Sequence, residues 1–185
     1  RPFSQELIDN VSVHRLPLWP SHNNSPFGRI ANYLSFFISS LIYCFFRARR
    51  YDIIYVYHPP LTPALAAALA GGAHGVPFVI DIQDLWPDTV AISGMSNPHI
   101  VSILDRLCNF VYNRAAHIVC QSNGMVAKLV ERGVSRTKLT RIYNWSNYCS
   151  RTGNESDVPR EFAVAFADRV NVVYGGNVGQ AQALE

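Results

Sequence analysis

The chain has 185 residues, 49% of them hydrophobic and 16% charged, with a formal net charge of +3. That composition builds a hydrophobic core and is not that of a disordered chain. The small charge, with Arg47-Ala48-Arg49-Arg50 as the longest basic cluster, argues against nucleic-acid binding as the main task. Four cysteines, Cys44, Cys108, Cys120 and Cys149, are scattered, with no Cys-x-x-Cys pair and no zinc-like His/Cys spacing. Apolar neighbours mark Cys44, Cys108 and Cys120 as small core residues, which fits a reducing, cytoplasmic setting. No signal-peptide pattern is visible, and the sequence begins at Arg1 rather than Met.

Residues 11–16 alternate and predict a strand; 17–26, rich in Pro, Ser and Asn, predict a loop. The stretch 27–50 is apolar nearly all round the helix between Ile30 and Phe46 and ends in the arginine cluster. Such a helix is buried or touches lipid. Its charge-free part, 33–46, is shorter than the roughly 20 residues a bilayer span needs. Burial against the sheet is the favoured expectation; the alternative is a helix lying on an anionic membrane surface. Residues 52–57 predict a second strand, stopped by His58-Pro59-Pro60 because proline cannot donate to a ladder. Thr62 then reads as an N-cap with Pro63 at the first helical position, and the helix is expected to end at Gly71-Gly72.

Residues 77–82 form a short apolar run without alternation, the pattern of a fully buried strand. Asn97-Pro98 reads as a helix start, followed by an apolar stripe at helical spacing from Ile100 to Val111. Strands are expected at 116–120 and 139–143, with a helix capped by Ser122 between them and ending near Gly133. Residues 151–159 are polar and breaker-rich, and 170–174 predict one more strand, followed by Gly175-Gly176-Asn177-Val178-Gly179. Strands alternating with helices imply an α/β fold: a Rossmann-like parallel sheet with helices on both faces. The expected organisation is one domain over 1–150, a linker over 151–168, and the start of a second domain over 169–185.

Val76-Pro-Phe-Val-Ile-Asp-Ile-Gln-Asp-Leu-Trp-Pro-Asp88 carries the chemistry signal. Asp81, Asp84 and Asp88 gather just past a strand's carboxyl end, where ligands bind in open α/β sheets. Asp84, further out on the loop than Asp81, is the preferred acid, with capping of the next helix by Asp84 or Asp88 as the plain alternative. Asp81 is suited to bonding loop amides. Trp86 either stacks on a sugar or packs under the loop. His58 is either a turn residue or a base on the same rim. No Asp-x-Asp pair exists, and too few oxygen ligands are evident for a divalent metal. The turn at 175–179 lets backbone N–H groups approach a phosphate, but it is not Gly-x-Gly-x-x-Gly.

Three segments, Tyr55-Val-Tyr-His-Pro-Pro-Leu61, Val76–Asp88 and Tyr174-Gly-Gly-Asn-Val-Gly-Gln-Ala-Gln182, together resemble glycosyltransferase family 4. The nearest subgroup builds bacterial exopolysaccharide, O-antigen or colanic-acid-type units. The resemblance implies a GT-B architecture of two facing Rossmann-like domains, acceptor on the first and nucleotide-sugar on the second. It implies retaining transfer with no cofactor and no bound metal, to a lipid-linked or oligosaccharide acceptor, with the cytoplasmic membrane surface as a further partner. Asp84 is then the catalytic candidate, His58, Trp86 and Asp88 the acceptor-side candidates, and Gly175, Gly176, Asn177 and Gly179 the donor-diphosphate candidates. Whether Asp84 is a base or orients the acceptor stays open.

The sequence departs from the family pattern in two ways. Many members place a histidine after the strand equivalent to 77–82, where this chain has Gln83, followed by Asp84. The family's first strand, with its glycine-rich loop, and its pair of glutamates in the second domain are not in the sequence. The isolated chain is therefore expected to be inactive. Two alternatives remain: a nucleotide-sugar epimerase of the same fold, and a non-catalytic, membrane-recruiting half of a two-part transferase.

Overall fold

The computed structural model describes residues 3–21, 26–88, 97–145, 160–167, 170–172 and 174–176. The chain divides into two compact units, Arg1–Tyr143 and Asn144–Glu185.

The first unit opens on a hairpin, β1 (Ser4–Ile8) and β2 (Val11–Arg15), paired antiparallel. Asp9 and Asn10 both take positive φ, 46° and 65°, as a two-residue hairpin turn of matching twist requires. Helix α1 (Pro26–Arg47) follows and runs into a short 3-10 turn at Ala48–Arg50. The chain then alternates β3 (Ile54–His58), α2 (Leu61–His74), β4 (Phe78–Ile82), α3 (Pro98–Arg114), β5 (His117–Cys120), α4 (Asn123–Glu131) and β6 (Leu139–Arg141). The four strands β3-β4-β5-β6 lie in sequence order and pair in parallel. The expected parallel α/β sheet flanked by helices is present, with the helices that connect its strands on one face where helices on both were expected.

All three crossovers step in one direction across this sheet, so their right-handedness puts α2, α3 and α4 on one face. The core lies there: Val56, Phe78, Ile80, Ile82, Ile118, Cys120 and Leu139 from the strands meet Ala64, Ala67, Val111, Tyr112 and Leu129 from the helices. On the opposite side of β3, Tyr55 and Tyr57 are exposed.

Several helix ends follow the sequence rules. Asn97 accepts a bond from the His99 amide at 3.0 Å with Pro98 in the first turn, and Ser122 accepts one from the Met125 amide at 3.2 Å. The ends of α2 differ from expectation. Pro60, in extended conformation, occupies the N-cap position, so Thr62 lies inside the first turn and caps nothing. The helix also passes through Gly71-Gly72 to His74 and stops on Gly75, whose φ of 70° closes it in the left-handed form. Gly71 serves a different purpose. A Cβ there would sit 2.6 Å from the Val76 carbonyl oxygen, and that approach lets the Val76 amide bond the Gly71 carbonyl at 2.9 Å.

The expectation that α1 is buried against the sheet is overturned. The helix packs on α2, beside the open edge of β3, and only 6% of its apolar window is buried. The reason is geometric: α2 already fills the space over β3, so α1 forms an outer layer and offers its small residues inward. Ser40 is buried there.

In the second unit, α5 (Arg160–Ala165) falls within the span expected as linker; the breaker-rich stretch 151–159 lies outside the described residues. The strand expected over 170–174 does not form at 170–172 or 174. A strand exists by its ladder, and no pairing among the described residues involves this segment; Val170 and Val172 are almost fully exposed.

Candidate functional site

The carboxyl ends of β3 and β4 carry the four first-unit candidates. The Gln83 amide donates to the His58 carbonyl at 2.8 Å, joining the segments that follow the two strands. The Gln121 side-chain amide donates to the Gln83 carbonyl and brings in the end of β5.

The three carboxylates have different surroundings. Asp81 accepts the Tyr55 hydroxyl at 2.8 Å and the Gln83 amide at 2.7 Å, so both its oxygens are engaged by side chains rather than loop amides. Desolvation of the Tyr55 phenol, with the Asp81 charge beside it, pushes Tyr55 up to about 12. Asp88 accepts Arg132 Nη2 at 2.9 Å. The same guanidinium donates Nη1 to the Trp86 carbonyl at 2.7 Å, and the Arg132 side chain is only 16% exposed. Asp84 is exposed and accepts no hydrogen bond from a described residue; it caps no described helix. Among the described residues, the Asp84 carboxylate is thus the uncommitted one of the three.

His58 is fully buried, which corrects its placement on an acceptor-contacting rim. Its ring stands edge-on to Trp86 at 5.8 Å and to Tyr112 at 6.2 Å. Neither ring nitrogen has a hydrogen-bond partner of good geometry, although the carbonyls of Asp84 and of His58 itself lie beside it. Burial lowers its pKa to about 4, against the opposing pull of those carbonyls, so the imidazole is neutral near pH 7. It supports the loop from below.

Trp86 is half-buried and packs on the core, edge-on to Tyr33 of α1 at 6.5 Å as well as to His58. Its carbonyl also accepts the Tyr112 hydroxyl at 3.3 Å. Of the two readings of this tryptophan, packing under the loop is the one its contacts fill. Arg132 and Tyr112 escaped the sequence reading. Nothing local marks an arginine before a helix-ending glycine as a clamp on a loop 44 residues earlier. Gln121 was equally silent.

Gly175 and Gly176 fall in the second unit and are exposed; Asn177 and Gly179 lie outside the described residues. Neither Gly175 nor Gly176 takes positive φ. What glycine permits at 176 is close approach: a Cβ there would lie 2.8 Å from the Tyr174 hydroxyl. Among the described residues, no three His, Cys, Asp or Glu side chains gather as metal ligands do.

The model of the glycosyl transferase 4-like domain matches residues 1–145. The chain belongs to that family. A similar curated protein is a probable glycosyltransferase, WbjE, from Pseudomonas aeruginosa, 27% identical over 146 residues; the match covers 75% of this chain and 36% of that protein. This glycosyl transferase 4-like chain therefore spans about a third of that relative's length. Crystal structures of Anabaena Alr3699/HepE in complex with UDP and with UDP-glucose give TM-scores of 0.45 and 0.44 at 18% and 19% identity. They cover 67% and 66% of this chain, which spans 29% of each of theirs.

Proposed function

We propose that the protein transfers a sugar from a nucleotide-sugar to a lipid-linked glycan acceptor in bacterial surface polysaccharide synthesis, with retention of anomeric configuration. The observation that carries the site is the uncommitted Asp84 carboxylate at the carboxyl end of β4, between two engaged ones. Family membership supports the reaction class.

In this reading the first unit is the acceptor side of a GT-B enzyme, and the turn at 175–179 belongs to the donor side. Asp84 accepts a hydrogen bond from a neighbouring hydroxyl of the acceptor and so aims the attacking oxygen at the anomeric carbon. The bond from that carbon to the diphosphate breaks as the bond to the acceptor oxygen forms. The acceptor proton leaves to an oxygen of the departing diphosphate. The transition state has oxocarbenium character, and no metal takes part. Backbone N–H groups near Gly176 stabilise the growing diphosphate charge; groups of this kind contribute about 3–4 kcal/mol each in other enzymes. Arg132, His58 and Trp86 hold the Asp84 loop without touching substrate.

The test is an assay of the protein at its natural length against UDP-, GDP- and dTDP-sugars, with and without a polyprenyl-diphosphate-linked acceptor. Acceptor-dependent release of nucleoside diphosphate, with retained configuration in the product, is the expected result. Acceptor-independent conversion of the sugar nucleotide to an epimer would contradict it.

A further inference from the structure

The carboxyl end of β6 carries a cation that the site described above does not use. Arg141 donates Nη1 to the Asn123 side-chain oxygen at 2.6 Å, and its guanidinium lies over the Tyr143 ring, 4.5 Å from the centroid. Both contacts rest on fixed backbone. The Ile142 amide bonds the Cys120 carbonyl at 2.9 Å, so pairing with β5 continues just past β6. Asn123 is the first residue of α4, whose start the Ser122 cap secures. An exposed arginine ordinarily wanders among rotamers; these two contacts hold this one in place. Arg141 nevertheless stays exposed, and no carboxylate among the described residues pairs with it.

Charge and position point to its ligand. The ladders set Ile82, Cys120 and Arg141 side by side, so Arg141 stands two strand spacings, about 10 Å, from the end of β4. Asp84 follows two residues beyond Ile82 on the same rim. A carboxylate and a guanidinium therefore share the rim where ligands of parallel sheets bind, with the end of β5 between them. The planar fork of an arginine takes phosphate oxygens in pairs. A single sugar ring, bonded at one side and phosphorylated at the other, bridges groups set this far apart.

We propose that Arg141 binds the diphosphate that links the acceptor's sugar to its lipid, and that this acceptor carries one sugar. Asp84 holds the sugar beside its reacting hydroxyl, and Arg141 holds the diphosphate at the other side of the ring. The donor diphosphate is left to the turn at 175–179. Asn123 and Tyr143 are positioning residues that aim the guanidinium. The choice of acceptor rests on the sugar-transfer reading; binding of a diphosphate at Arg141 does not depend on turnover.

Two measurements on the protein at its natural length test it. In the first, UDP-saturated protein is titrated with geranyl diphosphate by calorimetry. Wild type should bind it, Arg141→Gln about tenfold more weakly and Arg141→Lys in between, while Asn123→Ala should weaken binding about threefold. The thermal midpoints of these variants should match wild type. In the second, KM values are measured with a nucleotide-sugar and a lipid-diphosphate-linked acceptor that the wild type uses. Arg141→Gln should raise KM for the acceptor about tenfold and leave that for the nucleotide-sugar as it is. A rise in the nucleotide-sugar KM instead would give Arg141 to the donor and overturn the proposal. Equal binding of geranyl diphosphate by wild type and Arg141→Gln would overturn it as well. Equal use of acceptors with one and with two sugars on the diphosphate would overturn the single-sugar span. Weakened binding by Arg141→Gln in a protein that transfers no sugar would uphold the diphosphate site and remove the sugar-transfer reading.

Discussion

Arg132 and Asp88 lie 44 residues apart in sequence and 2.9 Å apart in space, and the same guanidinium also bonds the Trp86 carbonyl. The clamp closes the loop that carries Asp84. Arg132→Ala leaves that carbonyl without its charged donor in a mostly buried place, which should cost about 2–3 kcal/mol of stability. Arg132→Lys should recover only part of this, because an ammonium lacks the planar fork. Urea unfolding of the two variants measures both; equal stability of Arg132→Ala and wild type would remove the clamp.

Buried His58 predicts a pH dependence. Its folded pKa of about 4 lies below the ordinary 6.5, so between these values the unfolded chain binds more protons. The stability contribution is fully present above pH 6.5 and is lost as pH falls toward 4. Unfolding free energy should therefore drop over that window, and His58→Asn should flatten the drop. An identical pH slope in wild type and variant would contradict the burial argument.

The thiols of Cys108 and Cys120 should react slowly. Burial pushes Cys108 and Cys120 up to about 11 each, and both are fully buried. The thiolate is the reacting species. Disulfide-exchange labelling of the folded protein should modify half-buried Cys44 before either of them. Early labelling of Cys108 would show that the α3 contact with the sheet opens easily.

Adjacent glycines in α2 should respond in opposite directions. Gly71→Ala drives a Cβ to 2.6 Å from a backbone oxygen and should destabilise by about 1–3 kcal/mol. Gly72→Ala meets only the Arg114 guanidinium at 3.5 Å and should stabilise by about 0.5–1 kcal/mol through helix propensity. Thermal unfolding of the pair decides it, and equal effects would contradict the packing described.

Local chemistry was legible in the sequence where it is decided locally. The strand within 77–82, the Asn97-Pro98 and Ser122 caps, and the strand-helix alternation are short-range signals, and each appears in the structure, although β4 alternates buried and half-buried residues where burial on both faces was expected. The hairpin strand β1 was missed, although Asp9-Asn10 carries the turn that makes it. Most of what stayed hidden depends on contacts distant in sequence; Gly71 and Val76 are near neighbours that only the folded turn brings together. Gly71 looked like a helix end because its close approach to Val76 cannot be seen without the fold. Helix α1 was expected against the sheet because a run apolar nearly all round shows what avoids water but not the layer a helix occupies. In the site, the location of Asp84 could be read from strand and loop. That Asp81 and Asp88 are engaged, and that His58 is buried, depends on Tyr55, Arg132 and Tyr112 reaching in from other elements.

The central claim is tested most directly by the turnover of Asp84→Asn, at natural length, with a nucleotide-sugar and acceptor pair that the wild type accepts. The account predicts at least about a tenfold fall in kcat, about 1.4 kcal/mol of barrier, with an unchanged thermal midpoint. Turnover equal to wild type would contradict it and leave Asp84 as a residue of an exposed loop.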